Sequence, residues 1–92
     1  MFRVTEHRAA DRFILKLEGR CSSDVISELD AGFRAALSKA GNSAIWIDLS
    51  DVSRVDTAGL EQLTRMHRAG ARFVARGCFM RELIREICDL VD

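Results

Sequence analysis

Residues 47–63 read IDLSDVSRVDTAGLEQL, and this stretch decides the fold. Its first residues complete an apolar run, 44–49, that is interrupted only by Asp48. Such a run is typical of a central strand that is covered on both faces. Residues 50–54 are mostly polar and predict a loop after the strand. The stretch is therefore interpreted as the end of a buried strand followed by a crossover into a helix.

The helix is predicted to run from Asp56 or Thr57 to Ala69, with apolar residues at helical spacing. Asp56 suits the N-cap, because its carboxylate can accept a hydrogen bond from the backbone N–H of Ala58 or Gly59. On these local rules alone the segment is an ordinary helix start. Helix N-termini also present free N–H groups and a partial positive charge, so the same residues are candidates for binding a partner or a phosphate.

The residues that precede this unit predict two strands and one helix. The first strand lies around Val4, and the second covers 12–18 and ends at Gly19. The polar gap between them is short, which favours an antiparallel hairpin. Residues 22–24 offer several possible N-caps for a helix that is predicted to run to about Ala40. Its predicted core stripe consists of Val25, Leu29, Phe33, Ala36, Leu37 and Ala40.

The residues after the central helix predict one more strand and one more helix. Residues 72–76 are predicted to form a short fourth strand, and Gly77 leads into the last helix. The inward residues of that helix are predicted to be Phe79, Leu83, Ile84, Ile87, Leu90 and Val91. The order is β-β-α-β-α-β-α, which indicates a single small α/β domain over residues 1–92 with a mixed four-stranded sheet and three helices.

Composition excludes several functional classes. Lys and Arg number 14 and Asp and Glu number 14 among 92 residues, so the formal net charge is zero. A neutral chain has no whole-surface affinity for nucleic acid or for an anionic membrane. The N-terminal residues lack the apolar segment of a signal peptide, and the apolar runs are too short for a transmembrane helix. We therefore expect a cytoplasmic protein that does not insert into a membrane or bind nucleic acid.

Motifs for catalysis, cofactors and metals are missing from the sequence. We find no glycine-rich phosphate loop, zinc-binding pattern or nucleophile elbow. The chain is therefore expected to have no catalytic residue, no cofactor and no metal. Cys21, Cys78 and Cys88 do not have the spacing of a metal or redox pair and are interpreted as reduced, mostly buried thiols. A small enzyme that uses Cys21 or Cys78 is a minor alternative, since neither has a recognisable activating partner.

The 47–63 stretch, within the order β-β-α-β-α-β-α, resembles the STAS domain, which is shared by sulfate transporters and bacterial anti-sigma factor antagonists. The resemblance extends from about Phe13 to Ile87. Residues 67–77, HRAGARFVARG, also fit, because the family has a helix, a glycine-containing turn and a short strand at this point. The resemblance implies a non-enzymatic module that binds a protein partner.

The sequence resembles two groups of STAS proteins, which imply different partners. In anti-sigma factor antagonists this helix start docks onto a kinase-like anti-sigma factor, and phosphorylation breaks the complex. The usual phosphoacceptor position is Ala58 in this sequence, so Thr57 is the candidate phosphoacceptor; a phosphate on it is expected near Asp56 and Asp51. The threonine–alanine pair also resembles the STAS subunit of bacterial phospholipid-transport ABC systems, whose threonine supports contact with the ATPase subunit.

The predicted partner-binding residues are Ser53, Arg54, Asp56, Thr57, Ala58, Gly59 and Leu60. In this hypothesis Asp56 caps the helix, Thr57 presents its hydroxyl, Gly59 permits close approach and Leu60 anchors the helix from below. This part of the sequence has three basic residues, Arg65, Arg68 and Arg72, and one acidic residue, Glu61. The arginines form either a basic face for an acidic partner or an ordinary solvated helix face.

Overall fold

A computed structural model describes residues 2–75, 82–85 and 87. Its strands form one sheet in the order β1-β2-β3-β4. The strands are β1 (Phe2–Arg8), β2 (Arg12–Cys21), β3 (Ala44–Val55) and β4 (Arg72–Val74). β1 is antiparallel to β2, whereas the β2–β3 and β3–β4 pairs are parallel. The predicted hairpin and the predicted mixed sheet are therefore confirmed.

The helices occupy the connections between the parallel strands. A 3-10 turn (Ser23–Val25) leads into α1 (Ile26–Ala40), and α2 (Thr57–Arg68) joins β3 to β4. Residues 82–85 and 87 are helical and form α3. Within the described residues the order is β-β-α-β-α-β-α, as the sequence predicts. None of the described helices has the length and the apolar character needed to traverse a lipid bilayer.

The core lies between one face of the sheet and the helices. Every second residue along β2 and β3 is buried, because alternate side chains of a strand point to the same face of the sheet. These residues are Phe13, Leu15, Leu17, Ile45, Ile47 and Leu49, and they meet Leu29, Phe33, Ala36, Leu63, Met66 and Ile87 of the helices. Burying each large apolar side chain contributes roughly 1.5–3 kcal/mol to stability. These contacts hold α1 and α2 against the sheet.

The apolar run of β3 is covered less completely than the sequence predicts. Ile47 is fully buried, but the outward side chains of Trp46 and Asp48 are only partly buried. The prediction of a strand covered on both faces is wrong for these two positions. A tryptophan can extend an apolar run on an exposed face when its ring is shielded by neighbouring side chains.

Two strands continue beyond their predicted ends. β3 runs through the predicted loop at 50–54 to Val55, and β2 runs past Gly19 to Cys21. The two extensions pair with each other in parallel, with register shifts on either side of Glu18 and Gly19. Gly19 has a φ of 96°, so this glycine lies at an irregularity of the strand and does not terminate it. The polar residues of β3 are strand residues because β2 supplies backbone hydrogen-bond partners whatever their side chains are.

Two predictions about α1 are wrong. The N-cap residues of the 3-10 turn and of α1, Ser22 and Val25, make no capping hydrogen bond with their own side chains. Leu37, expected in the core stripe, has 43% of its surface exposed, whereas Phe33 and Ala36 are buried. Leu37 lies beside the groove between α1 and α2, where the sheet does not cover it. Of the residues predicted to face inward from the last helix, Phe79, Leu90 and Val91 lie outside the described residues.

Candidate partner-binding site

Asp56 lies between the end of β3 and the first turn of α2. Its Oδ1 accepts a hydrogen bond of 2.8 Å from the backbone N–H of Gly59. This N-cap satisfies one of the N–H groups that a helix start leaves unpaired. The predicted role of Asp56 as the cap is confirmed, and Gly59 is the donor.

Asp56 also connects α2 to the beginning of α1. Its second oxygen, Oδ2, accepts a hydrogen bond of 3.0 Å from the backbone N–H of Ser23. The Asp56 N–H donates to the carbonyl oxygen of Cys21 at 3.2 Å. One residue thus joins the end of β2, the 3-10 turn and α2. Local sequence rules could not find the bond to Ser23, because the two residues are 33 positions apart.

Gly59 permits a close approach within the chain. A Cβ atom at this position would lie 2.2 Å from the carbonyl oxygen of Cys21 and 3.1 Å from its sulfur. Gly59 is buried, so the start of α2 packs directly on the backbone of β2. The glycine is required at this position for packing, whatever binds above it.

The exposed residues of the predicted site lie around this fixed helix start. Thr57 is exposed in the first turn of α2, and Ala58 is partly buried beside it. Ser53 and Arg54 are exposed near the end of β3. The pairing of β2 with β3 shifts register between Val52 and Arg54, so the usual alternation of strand side chains does not assign Ser53 and Arg54 to opposite faces. Leu60 is partly buried and packs against the core, in agreement with its predicted role as an anchor.

Asp51 is not a neighbour of Thr57, contrary to the sequence-based expectation. Its carboxylate pairs with the ammonium group of Lys16 at 2.9 Å. Since β3 continues to Val55, Asp51 lies about 13 Å before the end of the strand at the usual rise per residue. The hydrogen bond from Lys16 to Asp51 raises the pKa of Lys16.

A groove of about 270 Å³ runs along α2 from Thr57, and we call it the Thr57 groove. Its lining residues are Thr57, Leu60, Glu61, Thr64, Arg65 and Arg68. Two guanidinium groups and one carboxylate give its wall a net positive charge. Arg72 belongs to β4 and does not line this groove with Arg65 and Arg68. The Thr57 groove thus offers a hydroxyl, an apolar floor and two cations to a partner.

A larger groove of about 530 Å³ separates α1 from α2, away from Thr57. A polar connection crosses it: Gln62 donates to Asp30 at 3.3 Å, and Arg65 donates to Gln62 at 2.6 and 3.2 Å. The hydrogen bond from Arg34 to Asp30, with a further one from Gln62, lowers the pKa of Asp30. Gln62 is only 2% exposed, a burial that no motif in the sequence indicates. Because Gln62 holds Arg65, the guanidinium at the wall of the Thr57 groove is fixed in position.

The described residues offer no centre for cysteine or metal chemistry. Burial, and to a smaller extent the charge of Asp56, raises the pKa of the Cys21 thiol to about 11. The nucleophilic thiolate is therefore scarce at neutral pH, which argues against Cys21 as a catalytic group. Cys78 and Cys88 lie outside the described residues. Residues 2–75, 82–85 and 87 contain no group of three side chains that could hold a metal ion.

We expect native Cys21 to resist alkylation by iodoacetamide near neutral pH and to react once the chain unfolds in urea. Its pKa rises from 9.0 to about 11 on folding, so the folded protein retains a proton that the unfolded chain releases between these values. The free energy of unfolding should therefore decrease as pH rises across this window. Peptide mapping measures the labelling, and urea titrations on either side of the window measure the stability.

The matched control is Cys21→Ala, which should lack this part of the pH dependence. The difference between the two proteins cancels the titration of groups that they share. Rapid labelling of Cys21 in the native protein, or an equal loss of stability with pH in both proteins, would contradict the prediction.

Comparison with known proteins identifies the family. A family model described as "Mlab, STAS domain" matches residues 4–87. The chain belongs to the STAS domain family. The family match agrees with the resemblance that residues 47–63 of this STAS domain indicate. No curated protein matches the sequence.

Solved structures of known proteins share the fold of this STAS domain. An anti-sigma factor antagonist from Mycobacterium paratuberculosis superimposes with a TM-score of 0.78 at 21% identity, over 92% of this chain and 76% of that one. The anti-sigma factor antagonist SpoIIAA in its unphosphorylated form has a TM-score of 0.64 at 16% identity, over 92% and 82% of the two chains. A DUF3478-family protein with a SpoIIAA-like fold from Shewanella loihica gives 0.59 at 10% identity, over 86% and 71%.

Proposed function

We propose that this STAS domain is a non-enzymatic, anti-sigma factor antagonist-like module that docks on a regulatory protein through the end of β3 and the start of α2. The observation that carries the proposal is the exposed Thr57 on a helix start that Asp56 and Gly59 hold against β2. A surface that is rigid before binding loses little conformational freedom in the complex. Rigid presentation of Thr57 therefore favours recognition of one defined partner surface.

The chemistry of the Thr57 groove supports a partner that presents an anionic or strongly polar group. Arg65 and Arg68 line the groove together with Glu61, and Gln62 orients Arg65. Guanidinium groups bind carboxylates with two parallel hydrogen bonds. The free N–H groups of the first helical turn attract the same kind of group. A partner helix or loop that carries a carboxylate can therefore bind beside Thr57.

Modification of Thr57 is the proposed means of release. Phosphorylation would add a charge of about −1.5 to −2 at this position. Both oxygens of the adjacent Asp56 already accept hydrogen bonds from Gly59 and Ser23, so this carboxylate stays in place next to the phosphate. The phosphate would repel an acidic partner from the surface. Ala58 has no hydroxyl, which leaves Thr57 as the candidate acceptor in the motif.

A second candidate function is that of a STAS accessory subunit of an ABC-type phospholipid transporter. It is supported by the Thr57–Ala58 pair and by the match to a family model whose description names Mlab. In this case Thr57 contacts the ATPase subunit continuously and is not phosphorylated. The same surface is used under both hypotheses, but only the regulatory one needs a phosphorylation cycle.

Substitution of Thr57 by arginine should abolish capture of the partner from the native cell. A long cationic side chain would fill the Thr57 groove and add charge beside two arginines, so we expect at least a tenfold loss, equivalent to about 1.4 kcal/mol. The control is Ser38→Arg, which places the same side chain at an exposed position near the C-terminal end of α1. Affinity capture followed by mass spectrometry compares the three proteins. Recovery of the same partners by Thr57→Arg would disprove the location of the site.

The two functions are separated by incubation of the captured complex with ATP. A kinase-like partner should increase the intact mass of the wild-type domain by one phosphoryl group and then dissociate, and it should leave a Thr57→Val domain unmodified. An ATPase subunit should hydrolyse ATP without changing the mass of the domain. Thr57→Glu, which imitates the added charge in part, should weaken binding to the kinase-like partner.

A further inference from the structure

The face of the sheet opposite the helices carries a row of side chains that crosses all four strands. The strand register aligns His7 of β1 with Ile14 of β2, Ile14 with Trp46 of β3, and Trp46 with Arg72 of β4. Their neighbours along β2 and β3 are the buried residues on the helix side. We call this set, together with Arg12, the Trp46 row. The Trp46 row and the Thr57 groove have no residue in common.

Two arginines flank the indole ring of Trp46. The guanidinium carbon of Arg12 lies 5.1 Å from the ring centroid, and that of Arg72 lies 5.6 Å from it. Contact with an aromatic ring stabilises a guanidinium group and leaves its N–H donors available at the edge of its plane. Among the described residues, Arg72 forms no salt bridge, and the contact of Arg12 is 3.5 Å to the exposed Asp11. The row therefore presents two oriented cations beside an aromatic surface.

We propose that the Trp46 row is a second docking surface and that it binds a short acidic segment of a partner protein. The carboxylates of the segment pair with Arg12 and Arg72, since a guanidinium fork matches a carboxylate in two hydrogen bonds. An apolar residue of the segment contacts Trp46 and Val74, the latter with 42% of its surface exposed. Arginine and tryptophan are the residue types that contribute most at protein interfaces.

The neighbouring residues favour a short peptide over a nucleic acid. The next row across the sheet aligns Thr5, Lys16, Asp48 and Val74. Lys16 is paired with Asp51 and Arg3 lies opposite Glu18, so Asp48 leaves this part of the face with a small net negative charge. A phosphate backbone that continued along the strands would be repelled there. The Trp46 row can accept an anionic segment that lies across the strands and carries only a few charges.

This docking surface is independent of the proposed function. α2 packs on one face of the sheet, and the Trp46 row lies on the other. A partner at Thr57 and an acidic segment at Trp46 can therefore be bound at the same time. Both sites together would let the domain connect two protein surfaces.

The fluorescence of Trp46 tests the proposal directly, because the chain has one tryptophan and no tyrosine. The probe is a synthetic peptide, acetyl-Glu-Glu-Leu-Glu-Glu-amide, and its control has glutamine in place of each glutamate. We expect a saturable change in Trp46 emission with the acidic peptide alone. Arg72→Gln and Arg12→Gln should each weaken binding about tenfold, because each removes one charged hydrogen-bonding pair. Arg34→Gln, on α1 and paired with Asp30, is the matched control and should bind like the wild type.

Several outcomes would overturn the proposal. They are an unchanged emission spectrum, an equal response to the glutamine peptide, and unaltered affinity in both arginine variants. Tighter binding of a single-stranded oligonucleotide than of the peptide would assign the face to nucleic acid. A change in emission with protein concentration, together with a doubled mass in light scattering, would assign it to a second copy. By contrast, we expect Thr57→Arg to bind the peptide like the wild type. Peptide binding at the Trp46 row and partner binding at Thr57 can then be tested separately.

Discussion

Replacement of Gly59 by alanine should lower the free energy of unfolding by about 3 kcal/mol, the upper end of the usual cost of overpacking. The new Cβ would lie 2.2 Å from the carbonyl oxygen of Cys21, so α2 and β2 must move apart. That oxygen also accepts the Asp56 N–H and cannot move freely. A domain of this length has a stability of only about 5–14 kcal/mol, so the substitution removes a large part of it.

Gly32→Ala is the matched control for this experiment. Gly32 is also a helical glycine, but its Cβ would meet the side chain of Val4 at 3.3 Å, where a small shift suffices. Alanine gains about 1 kcal/mol of helix propensity over glycine, which offsets that shift. Urea titrations should give a midpoint near the wild-type value for Gly32→Ala and a much lower one for Gly59→Ala, with similar slopes. Equal midpoints for the two variants would refute the packing argument.

Asp56→Ala should lower the free energy of unfolding by about 2 kcal/mol, because it leaves two backbone donors without their acceptor. The donors are the N–H groups of Gly59 and Ser23, and each is bonded to a different oxygen of the carboxylate. The loss should also loosen the connection between the 3-10 turn and α2. Faster amide hydrogen exchange at both donors would report this loosening residue by residue.

Asp56→Asn divides the effect into its two parts. Asparagine keeps one acceptor oxygen and is as good an N-cap as aspartate, but its amide nitrogen cannot accept a hydrogen bond. We expect a loss of about 1 kcal/mol, with faster exchange at Ser23 and unchanged exchange at Gly59. Asp24→Asn is the control, because Asp24 is exposed and its side chain bonds only within the 3-10 turn and its N-cap residue, to Ser22 and to its own backbone. Its effect should stay within about 0.5 kcal/mol. An Asp56→Asn variant as stable as Asp24→Asn would contradict the dual role of Asp56.

The elements that sequence analysis predicts well are those whose side-chain pattern reflects burial on one face. Phe13, Leu15 and Leu17 alternate along β2, and each is buried. Leu63 and Met66 lie on the inward face of α2 for the same reason. Hydrophobic periodicity is read directly from the chain, since it follows from the geometry of a single strand or helix. Leu37 is an exception because it lines the groove between α1 and α2, which none of the described elements covers.

Strand length was predicted poorly because it depends on the neighbouring strand. Residues 50–54 are mostly polar, and their backbone is extended because β2 pairs with this segment through Glu18, Gly19 and Arg20. A polar side chain opposes strand formation only weakly when the backbone hydrogen bonds are satisfied and the side chain faces water. The residues at the start of α1 illustrate the same point. Ser23 is held by Asp56, a residue of a different connection.

The sequence by itself determined the order of strands and helices and the role of Asp56 as N-cap, because each depends on residues close together in the chain; the partner site at 53–60 stays a prediction. Only the tertiary structure decided what surrounds that site. It joined Asp56 to Ser23, placed Gly59 on the backbone of Cys21 and kept Asp51 away from Thr57. It also brought Arg12 and Arg72 to the ring of Trp46 across three strands. These contacts depend on strand register and helix packing, which bring together residues that are far apart in the chain.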